Sequence, residues 1–319
     1  MAESVLTKEE AAIVRVSANA ALGNQNGVKE SLIKGFDDGV SINTFKEILV
    51  QTYAYCGFPR SLNALSTLMA LEQERGNRDN IGLKAGAKPA GDALEYGTKN
   101  QTKLVGAEVK GPLFDFAPQI DEYLKAHLFG DIFARENVSW KTREMATVGM
   151  LAVREGVESQ LQSHIGIAKH NGVTDAQIEE ILDLARFEKA KNVLFGFGEL
   201  NTAYAKYFIG NSYLQPLTSD GVAIANVTFE PKCRNNWHIH HKGGQILLVV
   251  SGRGWYQEWG KEPQELKAGD VVNIAPEVKH WHGAAKDSWF THIAIAVPAE
   301  GSSNEWLEPV SDEEYNKLK

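Results

Sequence analysis

The chain is poor in cysteine, in long apolar runs and in excess positive charge. Its 319 residues include two cysteines, Cys56 and Cys233. They lie far apart and match neither a disulfide framework nor a Cys-x-x-Cys spacing, which argues against a stapled scaffold and a dithiol redox motif. Two free thiols fit a reducing, cytoplasmic compartment. No stretch offers about eighteen uninterrupted apolar residues, so no membrane span is expected. The opening MAESVLTKEEAAIV has no basic stretch followed by an apolar core of the kind a secretory leader carries. With 33 Lys and Arg against 41 Asp and Glu, the net charge is -8. That balance argues against nucleic acid or an anionic membrane as the main partner, since both attract basic faces. A small-molecule partner is expected.

What is present divides the chain by period. Residues 4–75 and 113–212 carry apolar positions at spacings of three and four, the mark of helices, and from about 217 the period becomes two. GVSINTFKEIL (39–49) falls on GVTDAQIEEIL (172–182). In both copies a Gly-Val sits where a helix would end in a left-handed residue, and Ser41 or Thr174 is placed to cap the next helix. The repeated stop-and-start signal points to duplication of one helical unit. The boundaries expected are a first helical repeat over 1–76, a Gly-, Asn- and Lys-rich extended connector over 77–112, a second repeat over 113–212 and a β domain over 213–319. VAIANVTFEP, GQILLVVSGRGWYQEW, GDVVNIAPEV and WFTHIAIAVP are short alternating runs, as in a small antiparallel barrel or sandwich. The tail SDEEYNKLK predicts a short helix capped by Ser311.

Six of the nine histidines fall between 238 and 292. In NNWHIHHKGGQ, His238 and His240 share one strand face while Ile239 and His241 share the other. Two imidazoles on one face can chelate one ion. After the Lys-Gly-Gly turn Gln245 can return an oxygen to the same centre, and a fourth ligand is available from PEVKHWHG as His280. His282 shares the face of His280, and the small Ala294 and Ala296 beside His292 leave room for a ligand. His282 and His292 are therefore candidate bases.

This arrangement, His-x-His-x4-Gln with Gly-Asp-Val-Val and a later His, resembles the paired metal motifs of the cupin family over about residues 217–310. Carried over, the resemblance implies His238, His240, Gln245 and His280 as metal ligands. The sequence departs from the family pattern at Lys232 and Glu277, which stand at glycine positions, and at Ala275, which stands at a proline position. Gln245 replaces the usual glutamate. A neutral amide leaves a divalent ion near a net charge of +2, a stronger Lewis acid than a carboxylate-ligated one. Manganese is the first expectation, with Fe, Ni, Co or Zn compatible. KHWHGAAKDSWFTHIAIA with GGQILLVVSGRGWYQ is similar to the small manganese cupins that act as hydroxynitrile lyases. In that chemistry His282 or His292 takes the hydroxyl proton as cyanide leaves, and Trp237, Trp255 and Trp281 are candidates for an aromatic wall.

HLFGDIFARENVSWKTREMATVGMLAVREGVESQLQSHIGIAKHNGVT (127–174) resembles the carboxymuconolactone decarboxylase family, which shares its helical fold with the alkylhydroperoxidases. No cysteine stands near Val157 to Gln160, so the dithiol peroxidase route is not expected. Glu144 and His164 remain as a proton-relay pair, and the first copy, lacking a matching histidine, reads as structural. The resemblance also implies a homo-oligomer. The fold expected is multidomain α + β, an alkylhydroperoxidase-like tandem helical repeat followed by a cupin barrel. The function expected first is a metal-dependent lyase acting on a small hydroxylated or carbonyl compound. The alternatives are a decarboxylase centred on Glu144 and His164, a cupin dioxygenase and a non-catalytic metabolite-binding protein.

Overall fold

The computed structural model describes residues 4–77, 82–83 and 89–318, which form two compact units, Met1–Lys189 and Ala190–Lys319. The first is helical: α1 Lys8–Leu22, α2 Gln25–Asp37, α3 Ile42–Cys56, α4 Phe58–Glu74, α5 Ala93–Val105, α6 Pro112–Phe116, α7 Pro118–Glu122, a π-helix Tyr123–Ile132, α8 Trp140–Leu151, α9 Glu158–His170 and α10 Asp175–Lys191. Helix α1 is the hub. Thr7 and Glu10 close a capping box at its start, and Gly23, at φ 75°, ends it in the left-handed conformation. Its small residues Ala12, Val16, Ala18, Ala20 and Ala21 are buried and let Leu32, Phe45, Ile48, Leu49, Ala146 and Met150 close around it.

The two matched segments form the same local structure. Gly39 and Gly172 take φ of 102° and 89°. Ser41 Oγ accepts from Thr44 N at 3.1 Å, opening α3, and Thr174 Oγ1 accepts from Gln177 N at 3.2 Å, opening α10.

One reading needs correcting. The stretch 77–112, taken as an extended connector, contains the helix α5, although residues 78–81 and 84–88 within it lie outside the described residues. Helix α5 crosses the π-helix backbone to backbone: a Cβ on Gly97 would lie 1.9 Å from Lys125 O, and one on Gly130 2.8 Å from Ala93 O. The glycine that suggested a loop is there for close approach, and only Gly97, Gln101 and Leu104 of α5 are buried, too few to mark a period. The last α-helix of this stretch also ends earlier than 212, at Lys191; pairing of strands begins at Glu199, with one 3-10 helix, Thr202–Tyr207, before β2.

A buried ion-pair network fastens α3 to α8. Glu47, 5 % exposed, accepts from Arg143 Nη2 at 3.0 Å and from Arg135 Nη2 at 2.6 Å, and Arg143 is wholly buried. Arg143 Nη1 also donates to Gln51 Oε1 at 3.1 Å, and Gln51 Nε2 donates to Thr147 Oγ1 at 2.8 Å.

The second unit is an antiparallel barrel: β1 Glu199–Leu200, β2 Phe208–Ile209, β3 Ser212–Thr218, β4 Ile224–Phe229, β5 Arg234–Asn235, β6 His238–His241, β7 Gln245–Glu258, β8 Gln264–Lys267, β9 Val271–Ile274, β10 His280–Ala284, β11 Phe290–Ala296 and β12 Ser303–Trp306, closed by α11 Asp312–Asn316. Strand β7 belongs to both walls. Residues 245–252 pair with β11 and residues 254–258 with β10. The change occurs at Gly252, φ 75°, where a Cβ would strike Trp289 O at 1.7 Å. Ser311 caps α11 through a capping box with Glu314. The two residues that depart from the family's glycine pattern, Lys232 and Glu277, do adopt left-handed backbones, at φ 72° and 66°, so the turns are kept and the side chains are strained.

Two predictions follow from this packing. Burial pushes the Glu47 carboxyl up, but hydrogen bonds from Arg135 and Arg143 outweigh it and hold it below the ordinary 4.5. Its stabilisation is therefore present above that value and is lost as pH falls through the lower folded value. Glu47→Gln should cost about 3–5 kcal/mol at neutral pH in urea unfolding, because it leaves Arg143 buried without its counter-charge, and the gap should narrow in acid. Lys232→Gly should stabilise by about 1 kcal/mol, read as a raised melting temperature; a lower one would refute the strain.

Candidate metal centre and a buried acid–histidine pair

The barrel gathers its histidines on one inner face. His238 and His280 are Cα partners across β6 and β10. Alternation along β6 buries His238 and His240 while His241 turns outward, its Nδ1 2.6 Å from Glu277 Oε2 and its Nε2 2.8 Å from Glu305 Oε2. The turn into β7 needs its glycines, since a Cβ on Gly243 or Gly244 would lie 2.4 Å from Val297 O or Ile274 O. It delivers Gln245 beside His240. Ring centroids are 4.1 Å apart for His238 and His280, 5.1 Å for His238 and His240 and 5.2 Å for His240 and His280.

Hydrogen bonds on the far side of these rings settle which nitrogen faces in. His238 Nδ1 donates to Asn236 O at 2.9 Å, His280 Nδ1 to Val278 O at 2.9 Å and His240 Nδ1 to Asn304 Oδ1 at 2.7 Å. A carbonyl only accepts, so the proton is on Nδ1 and the Nε2 lone pair is left for the site. His240 Nε2, His280 Nε2 and Gln245 Oε1 are buried without any hydrogen-bond partner. Such orphaned acceptors are destabilising unless a ligand takes them. Burial pushes all three imidazoles down, His280 to about 4, so they are neutral and ligand-competent at neutral pH. Neutral nitrogen and amide-oxygen donors suit a divalent transition ion.

A grouping the sequence did not indicate also stands out. His238, His280 and His282 each bring a nitrogen within 4.8 Å of the others, all buried. His282, however, has a ring nitrogen 3.0 Å from Asn235 Nδ2, which donates to it. The acceptors of His240 and Gln245 are open where that of His282 is engaged. His282 meets His292 edge to face at 4.9 Å. His292 lies against Phe229 and Phe290, with both ring nitrogens buried and unpartnered, and burial takes it down to about 3. Asn235, Asn304 and Tyr256, whose buried Oη has no partner and whose ring lies 5.9 Å from His280, carry no motif that would have singled them out.

The aromatic wall differs from the one expected. Trp237 and Trp281, with Trp255 against them, pack on Val310, Tyr315 and Leu318 under the C-terminal segment. A tryptophan that does reach the histidines is Trp306, stacked on His238 at 4.7 Å and on Tyr207 at 4.6 Å.

In the helical unit, Glu144 of α8 and His164 of α9 meet, Oε2 to Nδ1 at 2.8 Å. Glu144 is fully buried, and its other oxygen, Oε1, has no hydrogen-bond partner. Tyr55 presents its ring edge to His164 at 5.3 Å. Burial first, and then the Glu144 charge, push the Tyr55 phenol far up, so it stays protonated.

Comparison with known proteins agrees with both units. Residues 118–192 match the carboxymuconolactone decarboxylase family and residues 225–294 match the cupin domain. The (R)-mandelonitrile lyase of Granulicella tundricola is 43 % identical over 117 residues, 35 % of this chain and 88 % of that protein. The acireductone dioxygenase of Bacillus pumilus is 28 % identical over 79 residues, 24 % of this chain and 42 % of that one. A cupin-like protein from Thermotoga maritima is 42 % identical, with a TM-score of 0.37, over 40 % of this chain and 96 % of its own.

Protein purified without chelator should carry near-stoichiometric transition metal by elemental analysis. His240→Ala should lose it and His282→Ala should keep it; the reverse would assign the ion to the His282 grouping. Asn304→Ala, which frees the His240 ring, should weaken metal affinity about 10–100-fold.

Proposed function

The chain belongs to the cupin family through its C-terminal unit, and on that premise we propose that this unit is a metal-dependent lyase of hydroxynitrile type, acting on a small hydroxylated or carbonyl compound. The observation that carries the reading is the set of open, inward acceptors on His240, His280 and Gln245, with the unpartnered His292 on the facing wall in ring contact with His282. His238, His240, Gln245 and His280 would hold a divalent ion, manganese foremost, which when bound would supply Lewis acidity toward a substrate oxygen.

The chain's own residues do the rest. The neutral His292 imidazole accepts the hydroxyl proton of a cyanohydrin as the carbonyl forms. The carbon–carbon bond breaks with its electron pair leaving on cyanide, which recovers the proton. Asn235 holds His282 in place by donating to its ring and by accepting from its backbone N–H at 2.9 Å, so that His282 presents a fixed edge to His292. Phe229 and Phe290 exclude water from the base. With free Cys56 and Cys233, we place the protein in the cytoplasm, and we carry a homo-oligomer and a small-molecule substrate in the same reading. The sequence match of the (R)-mandelonitrile lyase supports mandelonitrile as the first compound to try.

Replacing His282 and His292 together with alanine should lower release of benzaldehyde and cyanide by about 10²–10⁴-fold while metal content is kept. A double variant with full turnover would sink the base assignment. Oxygen uptake coupled to turnover would move the reading to a dioxygenase, and saturable binding without product would move it to a metabolite-binding protein.

A further inference from the structure

Among the described residues, Lys232, Lys242 and Glu277 hold left-handed backbones without being glycine, at φ 72°, 65° and 66°. Such backbones are strained for an L side chain, and strain that a fold keeps points to a use for that side chain. Glu277 finds its use inside the protein: Oε1 accepts from Lys242 N at 2.9 Å, and Oε2 lies 2.6 Å from His241 Nδ1. Lys232 does not. Its N–H donates to Ala285 O at 3.1 Å and its carbonyl accepts from Arg234, bonds that a glycine would make equally well. Its exposed ammonium has no hydrogen bond or ion pair with the described residues.

That ammonium belongs to a cavity of about 260 Å³ walled by the turn after β4, the turn after β10 and helix α11. Arg234 and Lys286 line it as well, and each has donor capacity to spare. Arg234 is 2 % exposed. Its Nε and Nη2 donate to Val310 O at 3.2 and 3.1 Å, and Nη2 also donates to Asp312 Oδ1 at 2.5 Å. Nη1 is left with Lys232 O at 3.5 Å, the outer limit of a hydrogen bond, and with a second N–H to offer. The Tyr315 ring, 4.4 Å away, holds the guanidinium in place from its face. Lys286 Nζ donates to Asn316 O at 2.9 Å and Leu318 O at 2.8 Å, which uses two of its three protons. Against these three cations the lining has one carboxylate, that of Asp312. A chain of net charge -8 thus concentrates a surplus of two positive charges in one cavity. Ile209 and Pro231 give the same cavity an apolar side.

We propose that this cavity binds a small phosphate monoester, its phosphate held by Lys232, Arg234 and Lys286 and its organic group set against Ile209 and Pro231. A phosphate brings close to two negative charges and three acceptor oxygens in one compact group, which matches both the surplus charge and the number of cations with a free donor. The volume lies below the roughly 300 Å³ at which pockets for drug-sized ligands begin, so the organic group is small. The strain at Lys232 acquires a reason: glycine would make the better turn and the poorer site. The site stands independently of the lyase reading, because none of its side chains belongs to the histidine cluster.

Phenyl phosphate titrated calorimetrically into the full chain at fixed ionic strength should bind at one site and raise the melting temperature, since a ligand of the folded state alone stabilises it. Lys232→Gln, which removes the charge and keeps a side chain on the strained turn, should weaken binding about 10-fold or more with the ligand-free melting temperature unchanged. Lys232→Arg should bind as the parent does. Lys232→Gly should melt higher without ligand and lose the same affinity, so that stability and binding move in opposite directions. Treatment with a chelator should change none of these results. No binding by the parent, parent-like affinity in Lys232→Gln, or loss of binding on chelation would each overturn the proposal, the last by assigning the phosphate to an ion in the histidine cluster.

Discussion

The orientation of three imidazoles by the groups behind them is the constraint on which the barrel's chemistry depends. Neutral histidine has one donor and one acceptor, and burial keeps these rings neutral. Once Asn236 O, Val278 O and Asn304 Oδ1 take the Nδ1 protons, the acceptors have one direction left. The interior is then crowded with lone pairs that no protein donor satisfies. A fold tolerates that arrangement when something electron-poor is meant to sit among them.

The helical unit uses the same device with the sign reversed. There the groups behind the His164 and His127 rings are carboxylates, Glu144 and Asp131, where in the barrel they are amide and backbone carbonyls. The difference lies in the partner of Nδ1.

Much of the barrel site was legible because its signals are local. His238, His240 and His241 sort onto two faces by alternation alone, and Gln245 follows a turn whose glycines are sterically required. Lys232 and Glu277 could be recognised as turn residues and do hold left-handed backbones. What was hidden is either remote or aperiodic. Asn304 lies 64 residues beyond the histidine it orients, in a stretch with no motif. Helix α5 buries so little that its Gly, Asn and Lys content reads as loop. For Tyr53 the missing information was its partner: nothing in the hydrophobic period announces a π-helix, and so nothing announced that His127 and Asp131 would stand together at the end of α3.

Trp306 gives the barrel a property unrelated to its reactivity. Its indole lies between Tyr207 and His238, face to face with both, and so is in van der Waals contact with a side chain of the candidate centre. Indole emission is sensitive to its immediate electronic surroundings, and a paramagnetic ion bound by the stacked histidine would quench it. Were such an ion held by the histidine cluster, loss of Trp306 emission would report its arrival in solution, without a substrate and without a label.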